Sequence, residues 1–158
     1  MRKSEWKPYV FWILFTEIVG ALSGWLTREG TKIYTLTIDR PPLAPPSILF
    51  PIVWGILFAL MGIGAARIYQ APASNARSRS LLIFLIQLTF NFFWSIIFFN
   101  FQAFGVAFIW LILLWLLILW MILSFCKVNR LAAWLQIPYL LWVTFAAYLN
   151  LGVWILNK

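Results

Sequence analysis

The chain has 158 residues, 64% of them hydrophobic and only 10% charged, with no histidine and one cysteine. That composition lies far outside soluble globular proteins. Without histidine, and with Cys126 alone, there can be no histidine metal site, histidine-ligated haem, Ser-His-type triad, internal disulfide or CxxC-type redox site.

The length suits one domain spanning 1–158. A membrane helix needs roughly 20 mostly apolar residues. Five such stretches are read near Tyr9–Leu26, Ser47–Ile68, Leu81–Phe101, Phe104–Phe125 and Leu131–Leu156. They carry no period-two alternation, so the fold class expected is an all-α membrane protein, a five-transmembrane-helix bundle rather than a barrel.

The net charge of +8 suggests nucleic acid at first sight, but the Lys and Arg sit in tails and connections. Arg2, Lys3 and Lys7, then Arg67, Arg77 and Arg79, then Lys127 and Arg130 fall on one side of the bundle. Arg28, Lys32, Arg40 and Lys158 fall on the other, diluted by Glu29 and Asp39. Topology accounts for this asymmetry. It predicts a cytoplasmic N-terminus and the first loop outside, suits an integral plasma-membrane protein, and leaves no nucleic-acid partner expected.

The first stretch follows basic residues, and Ala21-Leu22-Ser23 faintly resembles a signal-peptide cleavage site. The apolar run continues through Trp25 and Leu26 and holds Glu17, which suits a retained helix better. Glu17 is the one carboxylate inside a span, and such a residue is a functional candidate by default. It could carry protons, hold a cationic substrate or hydrogen-bond a backbone carbonyl. No second intramembrane ionisable group completes a relay within one chain, although a dimer would supply a second Glu17.

The longest connection, 27–46, ends in Pro41-Pro42-Leu43-Ala44-Pro45-Pro46. These residues cannot be helix interior and set a stiff extended segment, either a lid over one end of the bundle or punctuation before the next helix. Small residues recur at four-residue spacing: Gly20 with Gly24, Gly55 with Ala59, Gly62 with Ala66. That spacing allows close helix approach within the chain or in a dimer. The fourth stretch is the least polar. Its Trp110, Trp115 and Trp120 step by five and spiral around it, so it reads as largely lipid-facing and structural.

Polar residues inside the spans share helical faces. Gln87, Asn91 and Ser95 recur every fourth residue, with Trp94 on their flank. In the last span Tyr139, Trp142, Ala146 and Asn150 line one face, and in the second Trp54 and Phe58 stack at i, i+4. Polar groups in a membrane face the bundle interior or a cavity. Two readings stand: interhelical hydrogen-bond glue worth on the order of 1 kcal/mol per group, or a pocket with aromatic walls and a few orienting amides.

At this point the motifs resemble the translocator protein or tryptophan-rich sensory protein family (TspO/MBR, the peripheral-type benzodiazepine receptors), in a bacterial member. The resemblance is carried by Pro41-Pro42-Leu43-Ala44-Pro45-Pro46, Pro51-Ile52-Val53-Trp54-Gly55-Ile56-Leu57-Phe58 and Met61-Gly62. It continues with Gln87-Leu88, Asn91, Trp94 and Phe98-Phe99, then Pro138-Tyr139-Leu140-Leu141-Trp142, Phe145-Ala146 and Leu149-Asn150. Glu17 is similar to an acidic residue that many bacterial members carry in their first helix.

The resemblance implies a five-helix receptor or carrier, usually a homodimer, that binds protoporphyrin IX, haem and benzodiazepine-site drugs as ligands and requires no cofactor or metal. Its pocket would be lined by Trp54, Phe58, Asn91, Trp94, Trp142 and Ala146, with Tyr34 from the loop; Ile33 stands where the family prefers Trp. Gln87 and Tyr139 join the candidate ligand-binding residues, and Pro41, Pro42, Pro45 and Pro46 the lid. No Tyr precedes a basic residue in Leu149–Lys158, so the family's cholesterol motif is not expected here. Some members are reported to promote light-dependent porphyrin breakdown; Trp54 and Trp142 are the photochemical candidates, and no other catalytic residue is expected. Stacking on Trp54 and Trp142, with Asn91 as a polar anchor, would hold the ligand, and Arg28, Lys32 or Arg40 would meet porphyrin propionates. The alternative function is a small proton-coupled transporter of lipophilic cations using Glu17.

Overall fold

The computed structural model describes residues 6–158; Arg2 and Lys3 lie outside the described residues. Five helical spans are long and apolar enough to cross a membrane. They are α1 (Trp6–Leu26), α3 (Leu49–Tyr69), α4 (Asn75–Ser95) with the π-helical turn Ile96–Asn100 that extends it, α5 (Phe104–Cys126), and α6 (Arg130–Trp134) running into α7 (Ile137–Leu156). A 21-residue helix such as α1 is about 31 Å long, enough for a hydrocarbon core of about 30 Å.

The remaining helix, α2 (Arg28–Thr37), lies in the first loop, ahead of the non-helical proline run, where hydropathy predicts only a connection. The helix has a local cause. The prolines begin only at Pro41, and Thr35 and Thr37 turn their hydroxyls back onto the carbonyls of Thr31 and Ile33 at 2.9 and 2.6 Å. Gly30 and Tyr34 fall on the side that faces the π turn. A Cβ at Gly30 would sit 2.6 Å from the Phe99 carbonyl oxygen, so only glycine lets α2 dock there.

Small residues set the closest helix approach. α1 packs on α3 at Gly62, where a Cβ would lie 2.5 Å from the Ile13 Cα. Thr16 crosses the same seam, donating to the Phe58 carbonyl at 2.7 Å. Gly24 and Gly55, by contrast, face open space. Gly20 lies against the Phe58 ring, so the four-residue spacing marks contact at Gly20 and Gly62 and none at Gly24 and Gly55.

Side chains satisfy several of the helix ends. α4 begins ahead of the apolar run because Ser74 accepts from the Arg77 amide at 3.1 Å. Arg77 also donates to the Tyr69 carbonyl at 3.0 and 2.8 Å, closing the C-terminus of α3. Asn129 accepts from the Ala132 amide at the start of α6 and from Arg67 Nε at 3.1 Å. The break between α6 and α7 falls just before Pro138, whose missing N–H cannot continue the ladder.

α5 refines a sequence expectation. Most of its surface is lipid-facing as expected, but Ala107, Leu111, Leu114, Ile118, Met121 and Phe125 also form a stripe no more than 1% exposed, wedged between α4 and α7. A uniformly apolar helix hides this stripe from a polarity pattern. Its tryptophans do spiral. Trp110 donates to the Phe90 carbonyl on one neighbour, Trp115 donates to Thr144 on another, both at 2.8 Å, and Trp120 is exposed.

Candidate functional site

The polar residues of α4 and α7 meet inside the bundle. Tyr139 donates its hydroxyl to Gln87 Oε1 at 2.7 Å, and Asn91 Nδ2 donates to the Tyr139 oxygen at 2.8 Å. All three are buried. One turn further, Trp94 Nε1 donates to Asn150 Oδ1 at 3.1 Å, and Asn150 Nδ2 donates to the Phe104 carbonyl at 2.8 Å. Lipid offers no competing partners, so these chains tie α4, α5 and α7 together. Ser95 ends the stripe, half-buried.

Around this polar core stand aromatic rings. Trp54 leans on Phe58 at 5.6 Å between centroids and meets Tyr139 edge-on at 6.2 Å. Ala146 is buried on α7. Gln87, Asn91, Tyr139, Phe58 and Ala146 are therefore interior residues, with Trp54 and Trp94 half-buried against them.

The open space lies beside them. A groove of about 490 Å³ runs between α3 and α7, lined by Val53, Ile56, Leu57, Pro138, Leu141, Trp142 and Phe145. The volume falls within the roughly 300–1,000 Å³ of small-molecule sites. Leu57 forms its buried floor, whereas Ile56 and Leu141 are 57% and 65% exposed at its mouth. Phe50 meets the Trp142 ring at 5.8 Å and Phe145 meets it at 5.6 Å. The Trp142 Nε1 is buried and has no protein hydrogen-bond partner, and as the ring stands it presents almost no surface to the groove. Gln87 Nε2 is likewise buried without a partner.

Of the sequence-derived candidates, Trp142 lines this groove and the other residues of α3, α4 and α7 stand behind it. Val53, Ile56, Leu57, Pro138, Leu141 and Phe145 belong to the motifs that carry the family resemblance, but sequence reasoning did not place them in a ligand site. Their signal is faint but present: Pro138, Leu141, Trp142 and Phe145 recur at three- and four-residue spacing, as do Val53, Ile56 and Leu57. Apolar residues at that spacing in a membrane span read as lipid-facing.

The loop end is tied down. Tyr148 donates to the Pro42 carbonyl at 2.7 Å, and Asn157 exchanges hydrogen bonds with the Asp39 backbone at 3.1 and 2.8 Å. Pro41 is buried, and its ring covers Gly152. Pro42 and Pro46 are exposed and Pro45 half-buried. Tyr34 lies against Phe98 and Phe99 at 5.3 and 5.2 Å, outside the groove. Burial pushes its phenol above the ordinary range, with the Arg40 charge opposing. Lys32 pairs with Glu29 at 3.7 Å, while Arg28 lies over the Trp25 ring and Arg40 over Tyr34.

Glu17 is half-buried on α1 and has neither an ion pair nor a hydrogen bond from its carboxylate among the described residues. No group of three or more potential metal-binding side chains exists among the described residues.

A family model described as TspO/MBR matches residues 12–155. The chain is 36% identical over 140 residues to the tryptophan-rich protein TspO of Chlorobaculum tepidum, covering 88% of this chain and 89% of that one. It is 34% identical to protein CrtK of Rhodobacter capsulatus, over 77% of this chain and 76% of the relative. It is 30% identical to the translocator protein of Bos taurus, over 94% and 89%.

Proposed function

The chain belongs to the TspO/MBR family of membrane proteins, and on that footing we propose that it is a receptor or carrier for tetrapyrroles and similar flat hydrophobic ligands. Protoporphyrin IX and haem are the biological candidates, and benzodiazepine-site drugs are the synthetic ones. The site is the α3–α7 groove. The observation that carries this reading is its apolar lining with the Trp142 ring among it. A planar ligand drawn from the bilayer gains by close packing on the rings rather than by leaving water, and an acceptor on it would satisfy the indole N–H if the Trp142 ring turned toward the groove.

On this reading Asn91 acts through the bundle, holding Tyr139, rather than on the ligand. Porphyrin propionates point toward the loop end, where Arg28 and Arg40 have no carboxylate partner among the described residues. The protein works as a homodimer in a bacterial plasma membrane, with the basic end in the cytoplasm and the α2 loop outside.

The experiment is a dark titration with protoporphyrin IX in nanodiscs, read by porphyrin emission. Wild type should saturate at micromolar ligand or below. Trp142→Ala should bind at least tenfold more weakly, while Trp120→Ala, on the exposed side of α5, should match wild type. Linear uptake identical in all three would mean partitioning into lipid and no site.

A second reading, a proton-coupled transporter of lipophilic cations, draws on the unpartnered carboxyl of Glu17 in α1. It requires Glu17→Gln to abolish cation uptake in proteoliposomes with an imposed proton gradient. Uptake that survives the substitution removes it.

A further inference from the structure

The position of the groove bears on how a ligand reaches it. α3 starts at the loop end, and Val53 lies four residues in, about 6 Å from that end at 1.5 Å per residue. α7 ends at the loop end, and Phe145 lies eleven residues before Leu156, about 16 Å away. Pro138 is eight residues past Arg130, about 12 Å from the opposite end of its span. A hydrocarbon core is about 30 Å thick, so the groove sits inside it and short of both surfaces.

Its mouth faces sideways. Ile56 and Leu141, the most exposed lining residues, lie on the outer surface of their helices, where acyl chains would cover them. No charged residue lines the groove. The end that could open to water is fastened to α7 by Tyr148 on Pro42, Asn157 on Asp39 and Pro41 over Gly152. Opening that way would break three hydrogen bonds and expose a buried proline.

We infer that ligand enters the groove laterally from the bilayer, through the seam between Ile56 and Leu141, while the loop stays clasped. The inference rests on the ligand reading above. A flat hydrophobic molecule partitions into the membrane first, so the concentration that drives binding is the one in the lipid. The loop then acts as a fixed cap, and the proline run serves as a strap holding it to α7.

Stopped-flow mixing of protoporphyrin IX with nanodiscs in the dark tests this. At constant total porphyrin and protein, larger discs dilute the ligand in lipid, and the association rate should fall in proportion. Ile56→Phe with Leu141→Phe narrows the mouth at lipid-facing positions and should slow association at least fivefold. Tyr148→Phe and Asn157→Ala loosen the clasp and should leave it within twofold of wild type. Unchanged rates in the mouth variant, faster rates in the clasp variants, or rates that ignore disc size overturn the lateral route while leaving the site itself standing. A wild type that never saturates sinks the ligand reading and the route with it.

Discussion

Tyr139→Phe separates structural glue from ligand contact. The phenol oxygen is the shared atom of a three-residue chain, donating to Gln87 Oε1 at 2.7 Å and accepting from Asn91 Nδ2 at 2.8 Å. Phenylalanine keeps the ring, its packing and its edge contact with Trp54, so only the two hydrogen bonds are removed. Interhelical hydrogen bonds in membranes average about 0.6 kcal/mol and reach about 1.7. Two of them give a loss of about 1–3 kcal/mol. The upper half of that range is favoured here. Gln87 Nε2 already lacks a partner, so the substitution leaves a fully buried amide with no hydrogen bond at all. The assay is reversible denaturant or SDS unfolding in mixed micelles, followed by near-UV circular dichroism. The triple variant Gln87→Leu, Asn91→Leu, Tyr139→Phe removes every stranded polar group and should recover much of the loss. A Tyr139→Phe protein within 0.5 kcal/mol of wild type, but tenfold weaker for protoporphyrin IX, would refute the reasoning. The polar chain would then serve the ligand rather than the bundle.

Gly62→Ala should destabilise by about 1–3 kcal/mol, because its Cβ would meet the α1 backbone at Ile13; Gly24→Ala and Gly55→Ala, which face open space, should be neutral or slightly stabilising. Thermal unfolding of the three variants checks the contrast. Glu17→Gln should leave the unfolding midpoint and the protoporphyrin IX affinity within twofold of wild type, since the carboxylate holds no partner among the described residues; a tenfold affinity loss counts against the groove. Tyr34, with its phenol pKa raised in the folded state, favours the docked loop while neutral. That contribution is complete below the unfolded tyrosine value of about 10 and is lost as pH rises through the folded one. Protection of loop amides in hydrogen exchange should therefore fall at alkaline pH in wild type and fall less in Tyr34→Phe.

The five spans were legible because hydropathy needs only length and apolar content, and the bilayer fixes both. α2 was not, since its short polar sequence carries no apolar run. The π turn at Ile96–Asn100 has no signature either; it exists where α2 docks on Phe99 and Asn100 through Gly30. That Gln87 and Asn91 share a side of α4 follows from their spacing. That both turn to Tyr139 depends on how α4 and α7 are rotated, which neither helix encodes by itself. The groove was the least legible feature. It arises because α3 and α7 stand apart, and its lining, apart from Trp142, consists of residues that look lipid-facing. Helix separation is set elsewhere, by α1 seating on Gly62 and α5 wedging between α4 and α7.

The tryptophans divide according to what their indole N–H meets. Trp94 spends its donor on Asn150, Trp110 on the Phe90 carbonyl and Trp115 on Thr144. Each bond joins two helices, so these rings brace the bundle from three directions. Trp142 differs from these three: its ring lines the groove, and its buried N–H has no protein partner. In hydrocarbon such a donor is costly, because neither water nor lipid tails can accept from it. A turn of the indole toward the groove, met by a hydrogen-bond acceptor arriving with a ligand, would relieve the cost. The same indole would then supply both the stacking surface and the polar preference of the site. It would favour flat molecules that carry an acceptor over equally hydrophobic ones that carry none.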